Sequence, residues 1–264
     1  MTWDHPVDIL VTFDHDAESA FLQHENGVHR GPSYLSHGAF GAKVGMGRVL
    51  EVLDARGIPA TFFVPGWVAE RWPDSVRTPA QHGHEIALHG YLHEYPTAMV
   101  DAAEERMVLS RGLDALTAVA GTGIVGYRPP GSMYSNATVE LLREFGFRYG
   151  SAMQDDDGPY LHPTASGRPL VEIPCHWQLC DDLFGWHSDV RMTPSQVEET
   201  WTTELEALGR YPERAYVLTL HPHQIAHPGR LAMLDRVLDR AIELGGRFRT
   251  CADMATETLD RMGR

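Results

Sequence analysis

Asp8-Ile9-Leu10-Val11-Thr12-Phe13-Asp14-His15-Asp16 is the stretch on which the reading of the chain turns. Its first six residues are short, apolar and rich in β-branched and aromatic side chains, with no helical period, which predicts a buried strand. The run then breaks into acid, histidine, acid. Side chains two apart on an extended chain share a face, so Asp14 and Asp16 converge on one point. Two carboxylates at a strand mouth are costly to bury unless a metal ion or an arginine faces them.

Composition narrows what such a point can do. The chain has 264 residues, 43% hydrophobic and 22% charged, an ordinary globular balance with ample length for a large core. Its 22 lysines and arginines against 36 acids give a net charge of −14, which argues against nucleic acid or an anionic membrane surface as partner. No stretch approaches the roughly 20 apolar residues needed to span a bilayer. The opening Met1-Thr2-Trp3-Asp4-His5-Pro6 has no basic region followed by an apolar core, so no export leader is expected. Cys175, Cys180 and Cys251 are odd in number and form no CxxC pair, which suits a reducing cytoplasm better than a disulfide framework.

Working outward from the first strand, residues 17–44 read as a long glycine- and histidine-containing loop of the sort that folds over a site. Strands are expected at 60–64, 85–88, 124–127, 147–151, 170–174 and 215–220, with a short one before the last helix. Helices are expected at 46–56, 68–82, 97–119, 194–208, 231–244 and 252–262. A further helix ends at Phe145 and is expected to take its cap from Asn136. The polar segment 154–168 reads as turns. Seven or eight alternations without a compositional break predict one domain, 1–264, of parallel strands joined by helical crossovers, and at this length a (β/α) barrel. There is no P-loop, and no GxGxxG follows the first strand, which counts against nucleotide binding. Asp14, Asp16, His89, His93, Arg128, Asp181, Asp182 and His221 all fall just past strand C-terminal ends, the face on which barrel active sites are built.

The chemistry of that set follows from the residue types. His89 and His93 are four apart; on a helical turn both imidazoles would point the same way and, with Asp16, bind one divalent metal. Zinc is the default for two histidines and one carboxylate, with iron, cobalt or nickel as alternatives. Asp14 is then free to act as general base, held ionised by Arg128. His221 is placed to protonate a leaving nitrogen, with Asp181 or Asp182 orienting its ring. The Gly131 N–H, following two prolines that have none, is a candidate oxyanion donor. Trp177, Phe184 and Trp186 are candidates for the pocket wall. His15, His176, His187, His223 and His227 are weaker candidates for substrate contact, and Glu18 for a supporting acid.

Thr12-Phe13-Asp14-His15-Asp16, His89-Gly90-Tyr91-Leu92-His93, Arg128-Pro129-Pro130-Gly131 and Leu220-His221 occur in the order of the motifs of the polysaccharide deacetylase family, carbohydrate esterase family four. The resemblance runs from residue 12 to about 235. It implies a distorted (β/α)7 barrel that hydrolyses a non-peptide C–N bond, with Asp14 as base, Asp16, His89 and His93 as metal ligands and His221 as acid. Two features depart from most members: His15 separates the first-motif aspartates, and Gly131 follows Pro130 directly. Both resemble the intracellular subgroup of peptidoglycan deacetylase-like, cyclic imidase and allantoinase-like proteins, as do Trp177 to Asp182 and His221 to Leu231. That subgroup implies a homo-oligomer, a dimer or tetramer, and its allantoinase-like members work without a metal. The expected activity is deacetylation of an N-acetylated sugar or glycan. The alternatives are hydrolysis of a cyclic imide or ureide and, from another class, non-catalytic binding of a saccharide in the same pocket.

Overall fold

Residues alternate along β1 (Asp8–Asp14) between two environments, and that alternation organises the computed structural model, which describes residues 3–22, 31–163, 167–185 and 191–262. Ile9, Val11 and Phe13 join the large core between the sheet and its surrounding helices. Leu10 joins a smaller cluster inside the curl of the sheet, with Phe63, Ala87, Tyr149, Val171 and Val217. Helix 251–262 closes the bottom of this inner cluster with Cys251, Met254 and Ala255. Each large apolar side chain buried in either layer contributes roughly 1.5–3 kcal/mol.

The other strands are β2 (Ala60–Val64), β3 (Glu85–Leu88), β4 (Gly126–Tyr127), β5 (Tyr149–Gly150), β6 (Tyr160–Leu161), β7 (Val171–Glu172), β8 (Ala215–Leu220) and β9 (Arg247–Phe248). The sheet order is β6-β7-β5-β4-β3-β2-β1-β8, with β9 pairing the start of β1. From β7 through β5, β4, β3, β2 and β1 to β8 every pairing is parallel, which gives the seven strands of the expected distorted barrel. Closure is incomplete. Among the described residues a single parallel bridge, Cys180 to Thr219, links the segment after β7 to β8.

Several local expectations change. Within 17–44 the described residues are largely helical: 19–22, then 32–40 continuing through a widened π turn at 41–45 into 46–54. Gly38, Gly41 and Gly45 serve close packing rather than turns. A Cβ at Gly38 would sit 2.2 Å from the Ala17 carbonyl oxygen, and one at Gly45 would sit 2.4 Å from that of Pro222. The expected helix 68–82 is two helices, 66–71 and 73–81, broken where Pro73 restarts the chain after Trp72. Asn136 caps nothing; helix 138–145 is entered through reciprocal Ser135 and Thr138 side-chain bonds to backbone N–H groups. The segment read as turns at 154–168 contains β6, an antiparallel partner of β7. The helix at 194–208 opens as expected, on a Thr193–Gln196 capping box with Pro194 behind it. No helix among the described residues is long and apolar enough to cross a membrane.

Candidate active site

The inner-face parity of the strands turns polar toward their C-terminal ends. On β1 the inward series runs Leu10, Thr12, Asp14 and on to Asp16; on β8 it runs Val217, Thr219, His221. These ends, with the loops after β3, β4 and β7, line a cleft of about 420 Å³ that includes Asp14, Asp16, His89, His93, Gly131 and His221.

Arg128 is 0% exposed and fixes the first carboxylate. One guanidinium nitrogen donates to Asp14 Oδ1 at 2.9 Å and Thr12 Oγ1 at 2.7 Å; the other donates to Ser151 Oγ at 3.0 Å. Its flat face lies 4.2 Å from the centre of the Phe63 ring. Burial alone would raise the Asp14 carboxyl, but the Arg128 charge outweighs it and holds the group below its ordinary value.

His89 and His93 converge on Asp16 without a helical turn. Gly90 and His93 both adopt positive φ, +75° and +63°, and Glu94 ties the loop by accepting from the Tyr91 and Leu92 N–H groups. The left-handed residues fold the loop so that both rings face inward. His89 Nδ1 donates to the Arg128 carbonyl at 2.7 Å, which leaves the Nε2 lone pair facing Asp16 Oδ1 at 3.5 Å. His93 Nε2 lies 3.7 Å from Asp16 Oδ2. Burial lowers the His89 pKa to about 4, so its ring is neutral and free to ligate. Burial also pushes the Asp16 carboxyl well above its ordinary range, and its Oδ1 accepts no hydrogen bond among the described residues. Two imidazole nitrogens and an unsatisfied carboxylate oxygen, all within 4.8 Å of one another, fit a divalent cation.

The pairing of His221 is specific. Its Nδ1 donates to Asp181 Oδ1 at 2.6 Å, and its backbone N–H donates to Asp181 Oδ2 at 2.9 Å. Asp181, not Asp182, therefore orients the ring. The Cys180–Thr219 bridge sets this register by laying Asp181 against the end of β8. Asp181 is wholly buried behind His221 and contributes nothing to the cleft wall, whereas Asp182 does line it. Burial opposes the charge on His221, but the Asp181 carboxylate overcomes it and holds the ring well above its ordinary pKa. The Nε2 faces Asp16 Oδ2 at 3.8 Å.

Gly131 lines the cleft at φ +68°, and a Cβ there would lie 2.6 Å from the Tyr95 ring, so only glycine fits. Trp177 stands at the cleft 67% exposed, with His176 beside it. The other histidine and aromatic expectations dissolve on inspection. His15 turns away from the cleft, and its Nε2 bonds Ser75 Oγ at 2.8 Å. His223 packs against Phe21 and the back of His221, His227 stacks on Phe40, and Phe184 lies under Arg230. Glu18 accepts from Trp72 Nε1. His187 and Trp186 lie outside the described residues. Tyr95, Ser132, Thr219 and the Arg128 partners Thr12 and Ser151 were not singled out from sequence. Strand parity could have found Thr12 and Thr219, each two residues before a named site residue.

A parallel barrel with a base-like carboxylate, an oriented histidine and a cation-ready triad at its C-terminal mouth defines a class: hydrolases that work with a metal ion. The sequence model for polysaccharide deacetylase matches residues 40–150. A peptidoglycan deacetylase of Helicobacter pylori is 30% identical over 97% of this chain and 98% of its own length. A Mycobacterium smegmatis protein assigned to the polysaccharide deacetylases superimposes with a TM-score of 0.88 at 37% identity, covering 99% of this chain and 93% of that one. The Puue allantoinase superimposes at 0.86 over 99% of this chain and 92% of its own, but at 24% identity, a likeness of fold. The chain belongs to the polysaccharide deacetylase family and is an amidohydrolase.

Proposed function

We propose that this enzyme removes acetyl groups from an N-acetylated glycan, with a divalent cation, zinc by preference, held by Asp16, His89 and His93. The observation that carries the reading is the joint presence of that triad, the Arg128-held Asp14 and the Asp181-held His221 around one cleft. When bound, the cation supplies Lewis acidity toward the amide carbonyl and the attacking water. Asp14, kept ionised by Arg128, takes the proton from that water. The Gly131 N–H donates to the oxygen on which charge develops. His221, kept charged by Asp181, delivers a proton to the departing sugar nitrogen. Trp177 offers an exposed indole face on which a sugar ring can stack. A glycan as substrate draws support from the deacetylase relative that matches almost the full chain. Three buried free thiols suit the reducing cytoplasm, and the exposed Val100 and Met107 supply apolar surface for self-association.

The test is acetate release from N-acetylglucosamine oligosaccharides and peptidoglycan fragments, alongside allantoin and a cyclic imide. Chelation is expected to abolish release and added metal to restore it. Asp14→Asn is expected to lower kcat by about 10²–10⁴-fold with metal content unchanged. Full activity in Asp14→Asn would remove the base, and ureide turnover in place of acetate release would replace the substrate class.

A further inference from the structure

Besides Asp16 Oδ1, assigned above to the cation, Thr219 Oγ1 and Asp182 Oδ1 on the cleft wall have no hydrogen-bond partner among the described residues. Thr219 is 5% exposed and sits on β8 two residues before His221, hence on the same barrel-facing side. Its Cα partner across the incomplete closure is Cys180. The Cys180 sulfur, a carboxylate oxygen of Asp182 and a ring nitrogen of His221 lie within 4.8 Å of one another. Asp182 thus lies beside the histidine assigned to protonate the leaving nitrogen, and Thr219 stands on the same strand face one alternation before it.

The neighbouring strand provides an internal control. Thr12 occupies the equivalent position on β1, two residues before Asp14, and its hydroxyl is fully used. It donates to the Leu218 carbonyl at 2.6 Å and accepts from Arg128 at 2.7 Å. A hydroxyl enclosed at Thr219 with neither bond is a burden that valine, of nearly the same shape, would not carry. Buried polar groups without a partner call for a cause, and at a substrate cleft the cause is a ligand group that completes them. A hydroxyl is both donor and acceptor: it can accept from Thr219 and donate to Asp182.

We propose that Thr219 and Asp182 form a subsite for a substrate hydroxyl beside the scissile amide, making this deacetylase selective for N-acyl sugars that carry one there. The inference rests on the amidohydrolase reading above and specifies its substrate. That hydroxyl has two chemical sources, a ring hydroxyl of the reacting sugar or a hydroxylated acyl group such as glycolyl. Sites built to bond a hydroxyl reject analogues lacking it, because their own polar groups are then left unmade.

The experiment compares wild type, Thr219→Val, Thr219→Ser and Asp182→Asn on three substrates: an N-acetylglucosamine oligosaccharide, its 3-deoxy counterpart at the reacting residue, and its N-glycolyl counterpart. For the hydroxyl-bearing substrate, kcat/KM is expected to fall by about 10- to 100-fold in Thr219→Val and Asp182→Asn. Thr219→Ser is expected to retain most of it. Thr219→Val should discriminate weakly among the three substrates and unfold at or above the wild-type temperature, which separates a lost contact from a damaged fold. A wild-type penalty on the 3-deoxy substrate assigns the ring hydroxyl; a wild-type preference for the N-glycolyl substrate assigns the acyl group. Equal rates for Thr219→Val and wild type, or an equal drop on all three substrates, would overturn the subsite. Absence of turnover by wild type on every substrate would instead overturn the deacetylase reading on which it stands.

Discussion

Glu172 and Asp16 are both carboxylates buried against the same sheet, yet they live in opposite conditions. Glu172, on β7, accepts from the Ala152 and Met153 N–H groups at 2.6 and 2.8 Å, from Tyr134 OH at 3.0 Å, and bonds His162 Nε2 at 2.7 Å. Asp16, past the end of β1, faces three histidine nitrogens at 3.5–3.8 Å and leaves Oδ1 without a hydrogen bond among the described residues. One group spends its bonding capacity inside the protein, pinning the loop that follows Ser151, which in turn bonds Arg128. The other holds its capacity in reserve. A buried polar group with every bond made is architecture; one with bonds unmade at a cleft is waiting for something that arrives.

The strongest break of this contrast comes from Asp16→Asn. Activity is expected to fall about a thousandfold with loss of bound metal, since several kcal/mol of transition-state stabilisation go with the ion. The metal-free variant is nevertheless expected to be more stable than metal-free wild type, by about 1–3 kcal/mol, because a carboxyl whose ionisation burial opposes is gone. Calorimetry of both proteins after chelation checks this, and a less stable variant would put Asp16 in the class of Glu172.

Asp181→Asn sharpens the contrast by testing a carboxylate whose bonds are made but whose charge is put to use. His221 has its pKa raised by Asp181, so its charged form persists through neutral pH and is lost only as pH climbs through that raised value. Removing the carboxylate charge lowers the value. The basic limb of the kcat profile should move to lower pH, with kcat at its maximum down by about 10²-fold. An unmoved limb would deny His221 the role of acid.

The smallest effect on catalysis is expected from Glu172→Gln. Leaving part of its bond set unmade should cost about 1–3 kcal/mol of stability, read as a lower denaturant midpoint. Metal content should not change. A variant that lost metal while keeping its stability would erase the distinction drawn here.

How much of this was legible in the sequence follows the same division. Asp14, Asp16, His89, His93, Arg128 and His221 announced themselves because each falls at or shortly past the end of an apolar strand, and six such coincidences on one face outweigh the reading of each as a solvated turn. The supporting groups were hidden for the converse reason. Ser151, Tyr95 and Tyr134 are ordinary residues whose role depends on which strands become neighbours, and that is a property of the closed sheet. Choosing between Asp181 and Asp182 needed the one-residue register set across the incomplete closure. The helical turn expected for His89 and His93 failed because spacing of four is only one route to convergence; Gly90 and the left-handed His93 supply another. The described part of 17–44 is helical where a loop was expected, because glycine there does not mark turns: Gly38 and Gly41, like Gly45 just beyond, sit where helix and loop backbones nearly touch.

The incomplete closure of the barrel has a mechanical consequence. Among the described residues, one backbone bridge joins the segment that follows β7 to strand β8, and directly above it stands the Asp181–His221 pair, bonded through both ring and main chain. The proposed proton donor is thus also the clasp of the ring. Whatever pulls these two edges apart slackens the bond that keeps the imidazole charged, so the opening of this joint and the acidity of its histidine are a single degree of freedom.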